Sequence, residues 1–110
     1  MRQRIILAVA FLLLSLPASA LDVNDLRELV GYTLVEITSV PGEFEGADYD
    51  KVVKLSNGMV FEFTTYSYSY SYAPDVAIFA RKLELKQQSR TLIVYKLVVE
   101  DEIYEVTRVR

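Results

Sequence analysis

The sequence predicts a mainly β protein, in which one short N-terminal helix precedes five or six antiparallel strands. Two observations carry this prediction. Beyond residue 31, most of the chain alternates between apolar and polar residues with a period of two, as half-buried strands do. Alternating stretches also stand on both sides of two short turn sequences, at 56–58 and at 100–101, as the arms of hairpins do.

The first twenty residues are typical of a cleavable signal peptide. Arg2 and Arg4 precede an apolar run at 5–16, and a small-residue triplet at 18–20 matches what signal peptidase accepts. An uncleaved membrane anchor is the alternative, but a span needs about twenty apolar residues and this run is shorter. We therefore expect residues 1–20 to be removed and the protein to be exported, with the periplasm as the first location and secretion as the second.

Composition excludes several classes of function for residues 21–110, which form one small domain. The chain has no cysteine and no histidine, which excludes disulfides, lipid attachment, nucleophile–histidine catalysis and the usual zinc or copper sites. Without the two signal arginines, 10 basic residues stand against 15 acidic ones, a net charge of −5. Such a domain repels a phosphate backbone. We expect no nucleic-acid partner, no cofactor and no membrane span after cleavage.

The first element of the domain is expected to be a helix from Asp22 to Gly31. Asp22 or Asn24 can cap its start, an apolar stripe follows one side, and Gly31 suits its end. Residues 32–38 are then rich in β-branched and aromatic side chains, which predicts the first strand. Pro41 and the glycine after it stop this strand.

The turn at 56–58 decides the register of the first hairpin. A two-residue Asn-Gly loop would set apolar side chains against polar ones across the pair. A three-residue loop pairs Leu55 with Met59 and Val53 with Phe61, which keeps one face apolar. This loop needs a left-handed third residue, and Gly58 supplies it.

The closing hairpin turns at residues 100–101. A two-residue loop there sets Leu97 opposite Tyr104 and pairs Lys96 with Glu105 as opposite charges. Residues 76–86 fit both helical spacing and strand alternation. We favour a strand, with 87–90 as the turn into the hairpin.

Strands in this order are expected to close into a small antiparallel barrel or half-open roll. The architecture is similar to SH3-like and Sm-like barrels, by analogy of pattern only. Barrels of this kind carry many unrelated functions, so the analogy implies no site.

Four of the eight tyrosines lie in a Tyr-Ser alternation, namely Tyr66, Tyr68, Tyr70 and Tyr72. An extended chain would place the rings on one face and the serines on the other, over roughly 20 Å. Such a row suits a sugar ligand, because apolar C–H groups stack on the rings while the phenol hydroxyls reach polar edges. A core or flap strand and simple self-association are the alternatives.

The phase of this alternation raises a question about the core. Phe61 and Phe63 occupy odd positions, whereas the tyrosines occupy even ones. Either Thr64-Thr65 holds a bulge or turn, or the tyrosines face away from the core that the phenylalanines build.

Four carboxylates cluster in a predicted loop between two strands, at Glu43, Glu45, Asp48 and Asp50. Their oxygens are candidate Ca²⁺ ligands, although the twelve-residue EF-hand pattern is not met. Asp48 and Asp50 are also candidates for the acid/base pair of a glycoside hydrolase. The third interpretation is a solvated loop that keeps the protein soluble.

These features favour an exported, non-catalytic β-domain that binds a partner protein or a cell-wall component such as peptidoglycan, with the tyrosine row as the candidate surface. The alternatives are a carboxylate-dependent glycan hydrolase and an inhibitory or structural module that adds a strand to a partner's sheet. The first predicts exposed rings, the second converging carboxylates, and the third a long unpaired edge strand.

Overall fold

The computed structural model describes residues 21–110, and the predicted signal peptide at 1–20 lies outside the described residues. The described chain forms eight strands in two antiparallel sheets, and its helical turns are both 3-10 helices, Asp25–Leu29 and Lys86–Gln88. The strands are β1 Thr33–Ser39, β2 Glu43–Ala47, β3 Val52–Lys54, β4 Val60–Phe63, β5 Ser67–Tyr72, β6 Asp75–Leu85, β7 Arg90–Val99 and β8 Glu102–Arg108.

The larger sheet has six strands in the order β1-β6-β7-β8-β4-β3 and curves into a half barrel. Its two edges approach each other at one end, where the Ser56 N–H donates to the Ser39 carbonyl at 2.9 Å. The hydroxyls of the same two serines lie 2.7 Å apart. The predicted mainly β class and half-open roll are thus confirmed. The roll has six strands, within the expected five or six, and β2 and β5 pair in a second, two-stranded sheet that was not predicted.

Both predicted hairpin registers are confirmed. Val53 pairs with Phe61, and the three-residue loop is closed by the Leu55 N–H, which donates to the Met59 carbonyl at 2.9 Å. Gly58 has the expected positive φ of 92°. In the closing hairpin, Leu97 lies opposite Tyr104, as required to keep both side chains on the core face.

Residues 75–85 form a strand, as favoured above, and not a helix. This strand pairs with β7 over ten residue pairs, which makes β6–β7 the longest hairpin of the described chain. The turn between them contains the second 3-10 helix and Ser89 in a left-handed conformation.

The predicted N-terminal helix is present as a short 3-10 helix of five residues and not as an α-helix. None of its residues is buried, so no packed face supports a longer helix. Lys96 of β7 attaches the segment to the outer face of the large sheet. Its Nζ donates to the Glu28 carbonyl at 2.8 Å and lies 5.0 Å from the centroid of the Tyr32 ring.

The core lies between the concave face of the large sheet and strand β2 of the small one. Phe44 from β2 contacts the rings of Phe63 and Tyr104, with centroid distances of 6.2 and 5.6 Å. The buried members of the core are Val40, Phe44, Ala47, Leu55, Phe61, Phe63, Val76, Ile78, Leu97, Val99, Tyr104 and Val106. Within residues 21–110, no helix is long and apolar enough to cross a membrane.

Candidate functional site

The four tyrosines of the Tyr-Ser alternation all point to solvent. The exposed fractions of Tyr66, Tyr68, Tyr70 and Tyr72 lie between 55% and 73%, whereas the serines between them are half-buried. The rings therefore form one face, which we call the tyrosine face, and successive rings are about 7 Å apart along the strand. The tyrosines are not part of the core, and β5 pairs with β2 in the small sheet.

The phase question has a structural answer at Thr64-Thr65. The chain bends at these two residues and leaves the large sheet after Phe63. It then enters β5 of the small sheet with the tyrosines directed outward. Both suggestions raised by the sequence hold, since there is a turn and the rings also face away from the core.

The serine side of β5 holds the strand on the body of the protein. Ser67 Oγ donates to Glu102 Oε2 of β8 at 3.2 Å. The Ser71 hydroxyl is fully buried and has no hydrogen-bond partner among residues 21–110. The serines are thus the side chains of β5 that face the body of the protein.

Strand β2 lies beside β5 in the small sheet and supplies the acidic part of the same surface. Phe44 is buried, while Glu43 and Glu45 on either side of it are exposed. Gly46 allows close approach, because a Cβ built there would lie 2.6 Å from the Ser69 nitrogen. A register shift between Phe44 and Gly46 accompanies this approach.

Glu43 and Tyr70 are linked across the two strands. The Tyr70 hydroxyl donates to Glu43 Oε1 at 3.4 Å. The negative charge of Glu43 is the main cause that raises the pKa of Tyr70, followed by partial burial, the hydrogen bond and the charge of Glu45. Tyr70 is therefore a neutral donor at physiological pH, and the two carboxylates remain beside it as acceptors.

The predicted acidic loop is only partly a loop, which corrects the sequence interpretation. Glu43 and Glu45 lie on β2, and Asp48 and Asp50 follow it in an exposed turn. The alternation of glutamate with a buried phenylalanine is what makes residues 43–45 a strand. In the turn, the Asp48 carboxylate accepts the Tyr49 N–H at 2.8 Å.

These four carboxylates were the candidates for a cation or a catalytic pair. Across residues 21–110, no three acidic side chains are grouped closely enough to hold a metal ion. Asp48 and Asp50 are both exposed. The turn leaves both side chains in solvent, whereas an acid/base pair needs two carboxylates in different environments.

A second surface feature lies outside the residues singled out from the sequence. A groove of about 590 Å³ opens on the outer face of the large sheet, beside the end of β5. Its walls include Ile37, Tyr72, Asp75, Ala77, Val98 and Glu100; we call it the acidic groove. It depends on the pairing of β1 with β6, which joins residues about forty positions apart. No local sequence pattern reports such a pairing.

Comparison with protein-family models, curated proteins and solved structures finds no match to this chain. Functional inference therefore depends on the geometry of these two surfaces.

Proposed function

We propose that the protein is an exported, non-catalytic domain whose tyrosine face binds an extended cell-wall polysaccharide, such as the glycan of peptidoglycan. The observation that supports this proposal is the row of four exposed rings, three on β5 and one, Tyr66, directly before it. Large contiguous patches of exposed apolar and aromatic surface typically mark an interaction site. Their span of roughly 20 Å suits a linear chain of several sugars.

The surroundings of the rings supply the polar half of such a site. Sugar C–H faces stack on the phenol rings, and the phenol hydroxyls exchange hydrogen bonds with sugar hydroxyls. Glu43 and Glu45 are exposed on the neighbouring strand and accept further hydrogen bonds from sugar hydroxyls. Because the serine side fixes β5 to the core, the platform is ordered before the ligand arrives, which lowers the entropic cost of binding.

The test is a double substitution, Tyr68→Ser with Tyr70→Ser, assayed by co-sedimentation with purified peptidoglycan. We expect binding to weaken at least about tenfold, equivalent to about 1.4 kcal/mol. The thermal unfolding curve should stay close to that of the unmodified protein, because the rings are not packed. Tyr49→Ser is the matched control, since Tyr49 is 67% exposed and lies outside the tyrosine face.

Three results would count against the proposal. Unfolding of the double variant would mean that the rings are structural. Unchanged sedimentation would remove the tyrosine face from binding. If the double substitution abolished a dimer and left glycan binding intact, the face would belong to self-association.

A second candidate function is strand addition to β1, which a separate observation favours. β1 is an edge of the large sheet, and Thr33–Thr38 make backbone hydrogen bonds to no described segment other than β6. Leu34, Val35 and Ile37 are between 47% and 64% exposed. A free, apolar edge of this length is a template for a partner's strand.

The hydrolase alternative receives no comparable support. Asp48 and Asp50 lie in an exposed turn and not in the groove described above. We therefore do not carry it forward.

A further inference from the structure

The acidic groove owes its shape to one small residue in a row of larger ones. Sheet register places Ile37 beside Ala77 and Ala77 beside Val98, on three adjacent strands. The methyl group of Ala77 leaves a depression between the two longer side chains. This depression forms the apolar floor of the groove of about 590 Å³.

Two carboxylates stand at one end of this floor. Val76 pairs with Val99 at the end of the β6–β7 ladder. The neighbours of this pair, Asp75 at the start of β6 and Glu100 in the turn after β7, both line the groove. Both side chains are exposed. No basic residue is among the described residues that line the groove. The two carboxylates therefore lack a cation within their own site.

An aromatic side chain completes the rim. Tyr72 is the last residue of β5 and the most exposed member of the tyrosine face, and it also lines the groove. An aromatic ring near two carboxylates attracts an organic cation through the face of its π system.

We propose that the acidic groove binds the lysine or arginine side chain of an extended peptide segment from another protein, added to the free edge of β1. The aliphatic stem crosses β1 beside Ile37, as long basic side chains do on apolar surfaces, because the added strand lies about 5 Å from β1 and about 10 Å from β6. The cationic end reaches Asp75 and Glu100, where it forms charge-assisted hydrogen bonds. This inference rests on the second candidate function, strand addition, and does not require that the tyrosine face bind glycan.

Charge complementarity distinguishes this occupant from a second copy of the chain. Residues 33–39 contain no lysine or arginine. Pairing of two β1 strands would therefore bring no cation from β1 to the groove.

The probe is a capped pentapeptide, acetyl-Thr-Val-Lys-Val-Thr-amide, titrated into the isotopically labelled protein and followed by NMR. We expect chemical-shift changes at Ala77 and Val98 together with chemical-shift changes of the β1 amides. The same peptide with norleucine in place of lysine keeps the stem and loses the charge. It should bind at least about tenfold more weakly at low ionic strength, and added salt should reduce this difference.

Two variants of the protein itself also test the site. Asp75→Asn with Glu100→Gln should reduce affinity for the lysine peptide about tenfold or more. The matched control, Glu62→Gln with Glu84→Gln, changes the net charge equally outside the groove and should leave affinity within about twofold. Ala77→Leu, which fills the depression, should block binding of both peptides in the groove.

Several outcomes would overturn the inference. Equal affinity for the lysine and norleucine peptides, or equal weakening by the control pair, would show that the carboxylates do not hold the cation. Shifts of the β1 amides without any effect of the groove variants would leave strand addition standing and remove the groove. Groove shifts without β1 shifts would refute the strand addition. A dimer in sedimentation that the peptide cannot displace would assign the edge to a second copy.

Discussion

Replacement of Tyr104 by phenylalanine should stabilise the protein. The Tyr104 side chain is 1% exposed, and its hydroxyl has no hydrogen-bond partner among residues 21–110. Ser69 is near enough to oppose the rise in the Tyr104 pKa slightly, but it does not reach hydrogen-bonding geometry. The ring itself packs edge-on against Phe44 and Phe63, at 5.6 and 5.5 Å, and phenylalanine keeps these contacts.

The size of the gain follows from the desolvation of the hydroxyl. A buried polar group without a partner costs about 1–3 kcal/mol. Removing it without a change of shape should recover about 1 kcal/mol of unfolding free energy. For a domain of this size, that corresponds to a rise in Tm of about 4–8 °C.

The same residue should make stability fall at alkaline pH. Burial is the main cause that raises the pKa of Tyr104 from its ordinary 10.0 to about 12, and the charge of Glu102 adds to it. The unfolded chain therefore loses this proton first. The contribution of the Tyr104 proton to the unfolding free energy is fully present below about pH 10 and is lost as pH rises towards 12. The phenylalanine variant should lack this part of the decline.

Urea denaturation at pH 7 and at pH 11 measures both effects. Tyr95→Phe is the matched control, because the Tyr95 hydroxyl accepts the Arg108 Nη1 donor at 3.3 Å. Its loss should cost about 0.5–1.5 kcal/mol. If Tyr104→Phe instead lowered stability as the control does, the hydroxyl would have a partner and the reasoning would be wrong.

Three further substitutions test the packing. Gly46→Ala should lower the unfolding free energy in urea by about 2–4 kcal/mol, because the new Cβ would meet the β5 backbone and φ is +87°. Gly42→Ala, at φ +115° in open space, should lower it by only about 1–2 kcal/mol. Equal losses in the two variants would contradict the close approach at Gly46. Ile78→Ala should cost about 2–5 kcal/mol, since this side chain is fully buried; a loss below 1 kcal/mol would argue against the core described above. Lys96→Met should speed limited proteolysis within 22–32 while changing global stability by only about 1 kcal/mol, and unchanged cleavage would mean that the segment is held by other contacts.

Local sequence patterns were sufficient for the hairpins and for the break in phase before the tyrosines, whereas the direction of the rings stayed open between core and surface. The registers at Gly58 and at residues 100–101 follow from keeping apolar side chains on one face, and each joins strands close in sequence. The mismatch in phase between Phe63 and the tyrosines likewise reflects a real change of sheet at Thr64-Thr65. Alternation and turn chemistry are short-range properties, and these parts of the fold depend on them.

Other parts of the molecule depend on tertiary contacts and could not be predicted in the same way. Strand β2 has the composition of a loop, and it is extended because it pairs with β5 and buries Phe44 against Tyr104. The N-terminal segment has helical spacing but no packed face, so it forms one 3-10 helix. The groove at Ala77 requires the pairing of distant strands, and no local pattern distinguishes an edge strand such as β1 from a central one.

The division of β5 into two faces has a consequence for evolution. Substitutions on the ring side alter what the surface recognises, while the serine side and the bond from Ser67 to Glu102 keep the strand in place. Selection for a new ligand can therefore diversify Tyr66, Tyr68, Tyr70 and Tyr72 with little loss of folding. The same separation makes these four positions suitable for a randomised library on a small scaffold without cysteine.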